Sequence, residues 1–249
     1  MDLPTHSGSI TPAAGFSFRS PYSRFSLVLL VITFAALIPN FFTTLITNPQ
    51  KLSLEWAVHG FLFLGWYILF SLQTALISGR NTPLHKKLGY VSIAFFIVLT
   101  LSGIGMMLGT MNSYTPDWSP QQLMARTSFV WAIFHTLVFF SGFYVLGILF
   151  RKKGDAHKRF MLLASLSMMS ATLTRFAYLP GFPINGVVFT LLGTYTLLIT
   201  PLVIDRIFYK RIHPTLVVGT LLYAITQIVA IGIIPVTEFG KALAFDLEG

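Results

Sequence analysis

Cysteine is absent from all 249 residues, which excludes disulfides, thiolate-bound metals and thiol nucleophiles. Charge is scarce as well. Asp, Glu, Lys and Arg together make up 10% of the chain, whereas a soluble domain carries about a quarter. Nowhere does an H-x-x-x-H or H-E-x-x-H pair occur, so no helix face presents two histidine ligands at once. The last apolar stretch has no lysine, which excludes a retinal Schiff base there.

What fills the chain instead is hydrocarbon: 54% of residues are hydrophobic and 15% are aromatic. Seven apolar stretches stand out, at residues 25–46, 55–78, 86–110, 126–150, 158–180, 184–204 and 214–235. Each holds about 20 residues or more, enough at about 1.5 Å per residue to cross a hydrocarbon core of about 30 Å. The expected fold is therefore all-α, an integral membrane bundle of seven transmembrane helices over residues 25–235. A polar N-terminal tail (1–24) and a short C-terminal tail (236–249) flank it. Residues 1–20, rich in Ser, Thr, Pro and Gly, are expected to be mobile, with His6 idle among them. The first stretch ends in "IPNFF" with no small-residue cleavage site, so it reads as a retained span.

Position matters more than the net charge of +9. Basic residues sit in short loops between apolar runs, a pattern of membrane orientation and not of nucleic-acid binding. Thirteen of the 17 cations fall before span 1 (Arg19, Arg24) and in alternate loops: Arg80, Lys86, Lys87; Arg151, Lys152, Lys153, Lys158, Arg159; and Arg206, Lys210, Arg211. Only Lys51, Arg126, Arg175 and Lys241 fall on the other side. The N-terminus is thus expected in the cytoplasm and the C-terminus outside.

Spans 2–3 and 4–5 resemble each other. "HGFLFLGWYILFSLQTALISGRNTPLHKKLGYVSIAF" can be laid against "HTLVFFSGFYVLGILFRKKGDAHKRFMLLASLSM". Each starts with a histidine in a descending helix, His59 or His135, and resumes after a basic turn at His85 or His157. The intervals are 26 and 22 residues, so a duplicated helical hairpin is plausible. If spans 2–5 form a four-helix bundle, His59 with His135 and His85 with His157 would each converge from diagonal helices on a flat ligand, as axial ligands of a b-type haem. Without cysteine, c-type attachment is impossible.

The inner pair is the better matched. His85 lies five residues after Arg80 and His157 six after Arg151, whereas His59 and His135 lie 21 and 16 residues before those arginines. Five residues are about 7–8 Å of helix. Glu55, four residues before His59, is a candidate acceptor for its second ring N–H. Arg175 needs a partner at its depth, and a haem propionate is one candidate. Gly60, Gly65, Gly142 and Gly147 would admit a close helix or macrocycle.

Simpler roles compete with these. An imidazole opening a helix beside headgroups needs no ligand, and a buried one can bond a neighbouring carbonyl. Met106, Met107, Met111, Met168 and Met169 suit core packing better than soft-metal transport. Trp56, Trp66, Trp118 and Trp131 suit interface anchoring or bundle filling. His213 opens span 7 as His85 and His157 open spans 3 and 5. Three histidines at one depth, with Asp155 near, form an alternative zinc or iron site of a hydrolase.

The stretches "HGFLFLGWYILFSLQTALISGRNTPLHKKLG", "DAHKRFMLLASLSMMSATLTRF" and "KRIHPTLVVGTLLYAITQ" resemble a family of bacterial multi-pass membrane proteins that carries no established activity. More distantly the chain is similar to cytochrome b561, whose core helices hold two haems through histidines on spans 2 and 4 and spans 3 and 5. That resemblance implies transmembrane electron transfer in the bacterial inner membrane, with His59, His135, His85 and His157 as ligands. A quinone or another redox protein would then be a partner. A seventh span and His213 depart from that pattern. A cofactor-free accessory subunit of a larger membrane complex is the alternative class.

Overall fold

A computed structural model describes residues 15–177 and 179–245. His6 and the first 14 residues of the expected polar tail lie outside them, as do residues 246–249 of the C-terminal one. Among the described residues seven helices are long and apolar enough to cross a membrane: α1 Pro21–Thr47, α2 Leu54–Ser78, α3 Thr82–Met111, α4 Pro120–Leu149, α5 Gly154–Ala177, α6 Gly186–Phe208 and α7 Pro214–Val236. A short eighth, α8, covers Glu238–Phe245. The chain is a multi-pass helical bundle, and an odd number of spans places the two ends of the membrane domain on opposite faces.

Helix starts are written locally. Ser20, Ser53, Asn81, Ser119 and Asn185 each accept a hydrogen bond from the first turn of the helix that follows. Ser119 and Gln122 form a reciprocal capping box. Pro21, Pro120 and Pro214 open their helices, where a missing N–H loses nothing. These signals begin α1, α3 and α4 about four to six residues before the apolar runs do, because polar first turns extend past the hydrocarbon. Pro39 has the opposite effect inside α1. It imposes a wide turn over Ile38–Phe42, and the Thr43 hydroxyl covers the Ile38 carbonyl at 2.9 Å.

The described residues of both tails pack against the bundle. Residues 15–20 run beside the end of α2, with the Gly15 N–H donating to the Gly79 carbonyl (3.1 Å) and the Ser17 N–H to that of Ala75 (3.1 Å). A side chain at Gly79 would collide with the Gly15 backbone. Close approach thus reserves position 79 for glycine, and Arg80 takes the left-handed conformation (φ 58°) that ends the helix. At the other end α8 folds back on α4, where the Trp131 indole donates to the Gly240 carbonyl (3.1 Å).

Lipophilicity decides the middle of the bundle. α5 is the least apolar span, and 61% of its most apolar stretch is buried inside the protein, against 17–44% for the others. Its Ser165, Ser167 and Thr172 would be poorly placed in lipid, and small residues let neighbours approach. α5 also breaks at Met168 into Gly154–Ser167 and Met169–Ala177. Carbonyls near a break must find donors inside a membrane. The Tyr67 hydroxyl of α2 donates to Ser165 O (2.8 Å) and that of Tyr223 of α7 to Ser167 O (3.2 Å). Around this helix Trp66, Phe140, Tyr144 and Phe96 fill the space between α2, α3 and α4, the last two stacked at 4.2 Å.

Candidate functional site

His85 and His157 meet at the basic end of the bundle. Their ring centroids are 6.2 Å apart with planes at 81°. Both rings are half-buried. The helix starts at Asn81 and Gly154 place each histidine about one turn inside its helix, on facing sides of α3 and α5. His157 donates from Nδ1 to the Gly147 carbonyl of α4 (2.8 Å), which leaves Nε2 with a free lone pair. Gln73 of α2 holds the other ring: its amide nitrogen donates to His85 Nδ1 (2.7 Å) and to His85 O (3.2 Å), while its oxygen accepts from the Gly89 N–H (3.0 Å).

Two imidazoles on one metal ion, with bonds of about 2.0–2.1 Å plus each ring's own radius, have centroids roughly 6 Å apart. The inner pair therefore has the separation of two ligands of one ion. A backbone carbonyl at His157 Nδ1 is the usual device that fixes the ligating tautomer. For His85 to ligate through Nε2, the Gln73 amide must turn over so that its oxygen accepts from Nδ1–H. A Cβ built on Gly154 would meet nothing within 4 Å, and one built on Gly89 only the Gln73 amide, at 4.0 Å.

The outer histidines turn to different helices. His59 Nδ1 bonds Ser102 Oγ of α3 at 3.1 Å. His135 is buried against α7, with Nε2 at 3.0 Å from Thr226 Oγ1 and its ring at 4.7 Å from that of Tyr223. The Thr226 hydroxyl donates to Leu222 O, so it accepts from His135, whose Nε2 carries the proton and is not free to ligate. His135 thus holds its Nε2 proton on Thr226, whereas the Ser102 bond of His59 is at Nδ1. Their mismatch in sequence register is resolved by separate polar partners.

His213 does not join the other two histidines as a ligand set. Among the described residues no three His, Asp or Glu side chains converge as metal ligands. His213 instead caps α7, its Nδ1 accepting from the Thr215 N–H (3.2 Å), while its own N–H donates to Asp205 Oδ2 (3.0 Å). The expected helpers are elsewhere too. Glu55 is exposed in the first turn of α2, and the polar partner of His59 is Ser102. Arg175 receives Asn40 on its backbone carbonyl (3.2 Å), and its buried Nε has no hydrogen-bond partner among the described residues. Of the four glycines, Gly60, Gly65 and Gly147 admit Phe41, Phe95 and Met161, and Gly142 has nothing within 4 Å.

Asp205 belongs to no motif in the sequence. It is fully buried near the basic end of α6 and accepts four hydrogen bonds: from Arg159 Nη2 (2.6 Å) and Nε (2.9 Å), the Tyr22 hydroxyl (2.6 Å) and the His213 N–H. Arg159 Nη1 reaches on to Asp155 O (2.8 Å). Tyr209 stacks on Tyr22 at 5.8 Å, with Lys158 Nζ 4.6 Å over the Tyr209 ring. One carboxylate thus fastens α1, α5, α6 and the start of α7. The available signal was a lone acid within "TPLVIDRIF", where an ionisable residue needs a named partner.

Burial, and then the nearby Arg159 charge, push the His213 imidazole below the ordinary histidine pKa. A depressed folded-state value adds stability above the unfolded pKa of about 6.5 and loses it as pH falls. Protonation also occupies the Nδ1 lone pair that caps α7, a cap being worth about 1 kcal/mol. Acidification from about pH 7.5 to about pH 5.5 should therefore lower the melting temperature more for the natural protein than for His213→Asn, which caps without titrating. Equal losses in the two proteins would remove His213 from the acid response.

In comparisons with protein-family models, with curated proteins and with solved structures, the chain matches none.

Proposed function

We propose that this is a b-type haem protein of the bacterial cytoplasmic membrane, in which His85 and His157 would hold one haem iron at the cytoplasmic face. The supporting observation is the inner pair itself: two rings brought from different helices to 6.2 Å, one already in its ligating tautomer. Electron transfer between a soluble or quinone donor and that face is the activity such a centre serves. The haem would supply the valence change, while this chain sets ligation, burial and charge around it. Lys86, Lys87 and Lys153, exposed around the pair, suit propionates or an anionic partner. The outer pair is left out, which makes this a one-centre reading and not a haem-to-haem route across the membrane.

Detergent-purified protein from haem-replete cells should bind one haem per chain and give sharp α and β bands on dithionite reduction. Colourless protein would remove this reading and leave the cofactor-free accessory subunit. Two haems per chain would restore the outer site.

A further inference from the structure

A cleft of about 410 Å³ opens at the end of the bundle opposite the basic turns. Its walls are the first turn of α2 with Glu55 and Trp56, the outer end of α3 with Thr110, and Arg126 of α4. Gly105 and Gly109, one turn apart on α3, give it a floor without side chains, and a Cβ at either would meet nothing within 4 Å. Two full charges of opposite sign line it. Among the described residues neither forms an ion pair. Arg126 is held 5.5 Å over the Trp118 ring, which packs against Phe245 of α8. The folded-back C-terminal segment thus steadies the guanidinium from outside the cleft.

We propose that this cleft binds a zwitterion, an ammonium group joined by a short linker to a phosphate. Arg126 presents a planar fork of donors suited to the oxyanion. Glu55 and the face of Trp56 together suit an ammonium, the carboxylate by charge and the indole by its ring quadrupole. A ligand with one charge alone would leave a wall charge unanswered. α3 and α4 run 30 residues each, about 45 Å, so their outer ends project past a hydrocarbon core of about 30 Å. The cleft therefore stands at headgroup depth. Its other neighbours on α3, Ile104 and Leu108, are open to lipid. An aminophospholipid headgroup and a free phospho-amine share this chemistry.

The test uses the full chain and is independent of any haem. Native mass spectrometry would count retained phosphatidylethanolamine against phosphatidylglycerol, and glycerophosphoethanolamine would be titrated as the soluble probe. Preference for the ethanolamine lipid is expected, weakened at least about threefold by Glu55→Gln and by Arg126→Gln, and abolished by Gly109→Leu, which fills the floor. Exchanging the charges, Glu55→Arg with Arg126→Glu, should recover part of the loss. Soluble-probe binding with the same variant pattern identifies a free zwitterion, and lipid retention alone identifies a lipid site. Equal retention of the two lipids, or variants without effect, overturns the proposal. Circular dichroism of each variant checks that the bundle is intact.

Discussion

Replacing Asp205 with asparagine should destabilise the protein by about 3–5 kcal/mol, the range for removing one partner of a buried ion pair. The reason is what remains. Arg159 is buried, and its Nε and Nη2 both point at the lost carboxylate. An amide keeps the shape but offers a donor where Arg159, Tyr22 and the His213 N–H already supply four. The loss should appear as a lower midpoint in mild-detergent thermal melts or in titration with a denaturing detergent. Arg159→Met should be comparably harmful. The double change Asp205→Leu with Arg159→Met should recover much of the loss, because two isolated defects become one apolar contact. A single-mutant loss under about 1 kcal/mol would mean that water reaches this cluster and screens it.

His157→Ala should erase the reduced α and β bands. The iron would lose an axial ligand, and the imidazole that bridges α5 to the Gly147 carbonyl would go with it. His85→Ala should give the same spectrum, and the double variant little more, since two ligands of one iron act as a unit. Gln73→Ala should not weaken haem retention, because the Gln73 amide donates to His85 Nδ1 and must turn over before that ring can ligate. His59→Ala, His135→Ala and His213→Ala should leave the bands in place, because those rings are committed to Ser102, Thr226 and the α7 cap. If His157→Ala leaves haem content and spectrum unchanged, the imidazole in that basic turn only anchors a helix start.

The seven spans, the basic turns and the helix caps are local matters, and the sequence by itself determined them. Membrane-length apolar runs need no partner to be recognised, and Ser119 with Gln122 or Ser20 before Pro21 announce their helices within four residues. The matched offsets of His85 and His157 from Arg80 and Arg151 were legible in the same way. Other features depended on which helices become neighbours, and only the tertiary structure decided them. His135 has a polar partner on α7, 91 residues away, and that partner settles its tautomer. Asp205 sits one residue past the expected end of span 6, yet a tyrosine 183 residues earlier and an arginine of α5 bury it. The break at Met168 has no proline or glycine to announce it. It is satisfied by hydroxyls of Tyr67 and Tyr223, which reach α5 only because the least lipophilic helix takes the centre of the bundle.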